Sequence, residues 1–97
     1  MLLADLIVAE VVFVLESYYE APRDVVAGSV RSILSHPSIG CLDRDLLFRA
    51  IEVYEVDRLD FAEAYLVAVA ERSGVGVIAS FDRSIDRVGT VRRIEPT

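Results

Sequence analysis

The sequence predicts a helix-rich α/β fold with a small parallel sheet, and three observations predict it. Helical periodicity fills most of the chain from Asp5 to Ser73. A continuous apolar run, VGVIA at 75–79, reads as a short strand buried on both faces, as parallel strands are. A last strand-like run, VRRI at 91–94, follows it. Alternation of helix and strand points to a parallel sheet and not to a helical bundle. Functional groups in such sheets gather at the C-terminal ends of the strands, and Asp82 stands just past the end of 75–79.

The elements follow from the punctuation. Residues 1–4 read as the end of a strand. From Asp5, a plausible N-cap, Leu6, Phe13 and Val14 recur at helical spacing up to about Tyr18. Pro22 suits the first turn of a second helix running to Ser35. His36, Pro37 and Gly40 make a connection, with His36 read as a solvated loop residue. Asp43 caps a third helix on which Leu46, Leu47, Ala50, Ile51 and Tyr54 share a face. A fourth begins at Asp60 and stops at Gly74, a residue type suited to the left-handed conformation that ends helices. SFDRSIDR then forms a turn or a helical piece before the last strand.

A chain of 97 residues is one small domain, 1–97, with a thin margin of stability. Hydrophobic residues make up 54% of it, and the mean hydropathy is +0.43. This is more apolar surface than so short a chain hides easily, so a homodimer, a higher homo-oligomer or a partner protein is expected to cover the excess. No apolar run reaches the roughly 18 residues that span a bilayer, and the apolar start carries Asp5 and Glu10 without a basic leader region. The expected location is therefore the cytoplasm, with no membrane contact. Cys41 alone forms neither a disulfide nor a zinc site and reads as a buried structural thiol. With a net charge of −6, the chain lacks the basic footprint of a nucleic-acid binder, and any phosphate contact has to be local or bridged by metal. All ten basic residues are arginine.

Three carboxylates stand out. The helical neighbours of Glu10 at three and four residues are Leu6, Ile7, Phe13 and Val14, all apolar. A buried carboxylate there has to be protonated, paired with an arginine or bound to a cation. Asp60 and Glu63 form D-x-x-E before AYLVAVA, which matches a capping box, with Asp60 as the cap. Glu63 either answers the helix dipole or points outward toward a strand end. Asp82 within S-F-D caps a turn or serves a site at the strand mouth. Like charges brought into one cleft repel unless divalent cations neutralise them, and Mg²⁺ or Mn²⁺ suits an all-oxygen site.

Taken together these stretches resemble the PIN-domain family, in particular the VapC-type toxin ribonucleases. LIVAEVVFVLESYYEAPRDVV is similar to the family segment in which an aliphatic helix carries a catalytic Glu, here Glu10. RLDFAEAYLVAVAERSGV resembles the helix usually written D-F-x-D-A, and SFDR resembles the T-F-D-R turn after the next strand. The resemblance implies a PIN-like α/β/α fold and hydrolysis of RNA phosphodiesters with Mg²⁺ or Mn²⁺. It implies that Glu10, Glu63 and Asp82 are catalytic metal ligands, with Asp60 and Ser80 supporting them and Arg83 or Arg87 as phosphate contacts. An antitoxin protein is the implied partner, and RNA the implied substrate.

The chain departs from the family pattern in two places. Glu63 stands where the family usually has Asp, one methylene shorter. Family members also open with a strand bearing D-x-N, whose Asp is the first metal ligand, whereas this chain begins at the following strand and so reads as N-terminally truncated. Three functions are therefore carried forward: a ribonuclease completed by a longer product or by a partner chain, a catalytically degenerate PIN-like binding or assembly module, and a helical interaction subunit.

Overall fold

The computed structural model of the chain describes residues 2–41 and 43–96. Two strands and two helices open the fold: β1 (Leu2–Leu3), α1 (Asp5–Ser17), α2 (Arg23–Ser35) and β2 (Gly40–Cys41). Helix α3 (Arg44–Glu52) continues without a break into a wider turn over Val53–Asp57, and α4 (Phe61–Ser73) follows. The chain closes with β3 (Val77–Ala79), a short 3₁₀ turn at Arg83–Arg87, and β4 (Arg92–Ile94). The result is a helix-rich α/β fold with parallel strand pairs, compatible with the predicted α/β/α arrangement. Of the expected strand at residues 1–4, Met1 lies outside the described residues.

The strands form two parallel pairs. Leu2 and Leu3 register with Gly40 and Cys41, and Val77, Ile78 and Ala79 with Arg92, Arg93 and Ile94. Among the described residues the two pairs are not hydrogen-bonded to each other. The helices bury the core between and around them. Leu47, Ala50 and Ile51 of α3 pack with Ala64, Val67 and Ala68 of α4, and Val26, Val30 and Leu34 of α2 close one side. Ile78 of β3 and Ile85 and Val88 beyond it close another.

The caps show which local signals decide the elements. The Asp43 carboxylate accepts from Leu46 N–H at 3.0 Å, and that of Asp60 from Glu63 N–H at 2.8 Å, each satisfying a donor the helix leaves open. Gly74 ends α4 at φ +77°, where an L side chain is strained.

Several expectations need correction. Ala4 occupies the N-cap of α1, and Asp5 lies inside the first turn, where its carboxylate instead accepts from Tyr65 O–H on α4. Pro22 caps α2 from outside its first turn, and Gly40–Cys41 is a strand where a connection was expected. Cys41 is half-buried, not buried. Helix α1 buries Val8 and Val12, leaving Leu6 70% and Phe13 63% exposed. A helix that is apolar around most of its circumference does not disclose which stripe faces the core.

Among the described residues, the link between α3 and α4 is one of two places, with Glu20, where a residue with a side chain takes a positive φ. It ends at Arg58 in the left-handed region, φ +61°, an unusual place for a residue with a side chain. Tyr54 and Leu59 of this link are fully buried. Arg23 Nη1 donates to the carbonyls of Tyr54 at 2.8 Å and Leu59 at 2.5 Å, and its guanidinium lies over the Tyr54 ring, 4.5 Å from the centroid. The Tyr54 hydroxyl donates to Glu16 at 2.6 Å; burial and that carboxylate push the phenol's pKa up, so it stays protonated. Arg23→Met orphans both carbonyls and is expected to lower the free energy of unfolding in urea by about 2 kcal/mol. An unchanged denaturation midpoint would mean that water replaces the guanidinium at no cost.

Candidate active site

The C-terminal end of β3, the start of α4 and the turn after β3 meet around Glu63. Ser80 follows β3 directly, and its N–H donates to Ile94 O at 3.0 Å, so the ladder with β4 fixes its position. The Ser80 hydroxyl accepts from Asp82 N–H at 3.0 Å, which folds the chain back at Phe81. Asp82 then caps the 3₁₀ turn, accepting from Ser84 N–H at 2.9 Å. Glu63 reaches the same place from the first turn of α4, presented by the Asp60 cap at that helix end.

The two carboxylates are held in opposite electrostatic states. Burial pushes the Glu63 pKa up, the neighbouring charges of Asp60 and Asp82 push it further, and the Ser80 hydroxyl partly opposes them by hydrogen bonding. One oxygen of Glu63, Oε2, is buried with no hydrogen-bond partner. Asp82 is pulled the other way by its hydrogen bonds with Ser84, assisted by the charges of Arg87 and Arg93. One carboxyl therefore resists ionisation while its neighbour ionises readily, a division found where acids have different roles in one site.

The structure thus brings together Glu63, Asp82, Asp60 and Ser80 of the residues singled out in the sequence. Arg83 and Arg87 lie on the turn that Asp82 caps, and Arg87 Nη1 donates to Arg58 O at 3.1 Å and, more weakly, to Asp57 O at 3.4 Å. Glu10 is not among them: it lines a separate shallow groove with Ile7, Val11, Val14 and Leu15. It is exposed, which corrects the inference that its apolar neighbours bury it. Its neighbours Leu6, Ile7, Phe13 and Val14 are on the open side of α1 as well. Arg58, which the sequence did not single out, stands at the end of the link in VDRLD, two residues before the Asp60 cap.

The donor set at Glu63 and Asp82 is all oxygen, which fits a hard divalent cation. The unpartnered Glu63 Oε2 and the repulsion among three carboxylates are what such an ion relieves. Among the described residues no three acidic, histidine or cysteine side chains are close enough to hold one ion. Two carboxylates still suffice for a cation such as Mg²⁺, which keeps several of its waters.

The chain thus has a helix-rich α/β fold with two acids near the end of a parallel strand. Residues 1–91 match the PIN domain family, and the chain belongs to it. No curated protein and no solved structure gives a significant match. PIN domains are in general metal-dependent nucleases.

A raised carboxyl pKa in the folded state means that ionised Glu63 opposes folding at neutral pH, and that the penalty disappears as pH falls and the group protonates. Glu63→Gln is therefore expected to raise the melting temperature at pH 7 by about 2–5 °C, with the difference closing toward pH 4. A variant less stable than the parent at pH 7 would show that the repulsion is already relieved.

Proposed function

We propose that the chain is a ribonuclease of the VapC toxin type, hydrolysing RNA phosphodiesters with Mg²⁺ or Mn²⁺. The observation that carries this reading is the Glu63 carboxyl, whose Oε2 is buried without a hydrogen-bond partner, beside Asp82 at the end of β3. Glu63 and Asp82 would hold the metal, and a divalent ion held there would supply charge stabilisation at the phosphodiester and a water of lowered pKa. Asp60 keeps Glu63 at the helix end, and Ser80 sets the Asp82 backbone while hydrogen bonding to Glu63. Glu10 enters this reading as a further metal ligand through the resemblance of its segment to the family alone; it lines a groove apart from Glu63 and Asp82.

Among the described residues the two strand pairs are not hydrogen-bonded to each other, and their open edges suit an added strand from a partner chain. The open face of α1, where Leu6, Ile7, Phe13 and Val14 are exposed, suits an antitoxin or a second copy of the chain in a homo-oligomer. No helix among the described residues is long and apolar enough to cross a membrane, and an RNA substrate places the single domain in the cytoplasm. A second reading, a PIN-like binding or assembly module that no longer cleaves, is favoured by the separate position of Glu10.

Cleavage of a labelled single-stranded RNA separates the two. The purified chain is expected to cut it with Mn²⁺ and not with EDTA, and Asp82→Asn and Glu10→Gln are each expected to slow cutting by about 100-fold or more. No Mn²⁺-dependent cutting by the parent would select the non-cleaving module. Cutting that survives both substitutions would place the chemistry elsewhere.

A further inference from the structure

The ten arginines divide by what their guanidiniums meet. Arg31, Arg49, Arg72 and Arg93 are paired with carboxylates. Arg23, Arg44 and Arg87 donate to backbone carbonyls. The side chains of Arg58, Arg83 and Arg92 are exposed, and among the described residues none of them has a hydrogen-bonding or ion-pair partner. In a chain of net charge −6, such unpaired cations are conspicuous.

Their placement is uneven. Arg92 opens β4 and registers with Val77, at the end of the sheet opposite Ser80 and Asp82. Arg83 directly follows Asp82, and the Arg58 backbone is tied to that same turn by Arg87. Arg58 also precedes Asp60 by two residues, so the segment that presents Glu63 begins with it. It borders a depression with Arg23, Asp24 and Glu55, and the Glu55 carboxylate there is already taken by Arg31 at 2.6 Å.

The backbone at Arg58 sharpens the point. The left-handed conformation there suits glycine, and an arginine carries a cost; the backbone carbonyl is met by Arg87, while the guanidinium has no hydrogen-bonding or ion-pair partner among the described residues. Among the described residues Glu20, at φ +51°, shares this conformation; Arg58 differs from it in being tied to the turn that Asp82 begins. A guanidinium is also the side chain best matched to phosphate oxygens.

We infer that Arg58 binds a phosphate of single-stranded RNA on the flank of the acid pair. Arg87 acts as the strap that fixes the Arg58 backbone, and Arg83 holds the chain on the other side of Asp82. The contact is to a phosphate that does not react; it positions the strand whose scissile bond lies at Glu63 and Asp82. This contact rests on the nuclease reading given above.

Fluorescence anisotropy of a labelled single-stranded oligoribonucleotide in EDTA, where no metal-dependent cutting occurs, tests it on the full chain. Arg58→Gly is expected to bind about tenfold more weakly and to lower the salt slope of binding by about 0.7. Arg58→Lys is expected to recover part of the loss, and Arg92→Ala to leave binding unchanged. Because glycine adopts the left-handed backbone freely, Arg58→Gly should melt no lower than the parent, which separates lost contact from lost fold.

Parent-like binding by Arg58→Gly overturns the inference, as does an equal loss in Arg92→Ala, which would reveal a general charge effect. An absence of RNA binding by the parent chain overturns it too. Mn²⁺-dependent cutting by the parent, assayed separately, reports on the nuclease reading alone. Weakened binding by Arg58→Gly with no cutting by the parent supports the contact and removes the nuclease.

Discussion

Between Tyr54 and Leu59 the chain leaves one helix and prepares to enter another, and four backbone carbonyls along this stretch are met by two guanidiniums. Arg23 satisfies those of Tyr54 and Leu59, and Arg87 reaches toward those of Asp57 and Arg58. A buried carbonyl without a donor is costly, so the turn depends on Arg23, and the exposed bonds of Arg87 add to it. The site depends on the turn in its own right. Asp60 caps α4 immediately after it, Glu63 sits in the first turn of that helix, and Arg87 belongs to the segment that Asp82 begins. The two acid-bearing segments are thereby cross-tied through backbone atoms, with the Arg87 charge felt at Asp82 and not at Glu63.

That economy matters for the electrostatics. Arg49 spans α3 and α4 with a two-pronged pair to Glu71, at 2.7 and 2.8 Å, which holds the Glu71 carboxyl below its usual range. Such a pair stabilises the packing and leaves the acid with no further work to do. Glu63 has no arginine partner and is surrounded by Asp60 and Asp82, so its charge remains uncompensated. The fold thus contains both solutions to a half-buried carboxylate, and the uncompensated one stands at the end of a parallel strand, where a ligand can reach it.

Much of this was legible in the sequence, for reasons particular residues make plain. Asp43 and Asp60 announced their helices because a cap is a local interaction, complete within four residues. VGVIA announced β3 by its apolar run, although the strand is limited to Val77–Ala79 and of these only Ile78 is buried, not both faces as expected. Glu63, Asp82, Asp60 and Ser80 were picked out in advance, and they come together. Burial of Glu10 was misjudged because the whole of α1 is apolar, and only tertiary contacts choose Val8 and Val12 as the inner stripe. The Gly40–Cys41 strand was hidden because two residues show no alternation, and its pairing with β1 spans nearly forty residues of chain. Arg58 carried no local motif; its conformation follows from a turn that two distant arginines hold.

The central claim is that Glu63 and Asp82 gather a divalent cation at the mouth of β3. Titrating Mn²⁺ into the ¹⁵N-labelled chain and following amide line broadening locates the ion directly, since the paramagnetic effect falls steeply with distance. At substoichiometric Mn²⁺, broadening is predicted to start at the amides of residues 60–64 and 80–84 and to disappear there in Asp82→Asn. Broadening centred on another acid, or spread evenly over a chain of net charge −6, would contradict a metal site at Glu63 and Asp82.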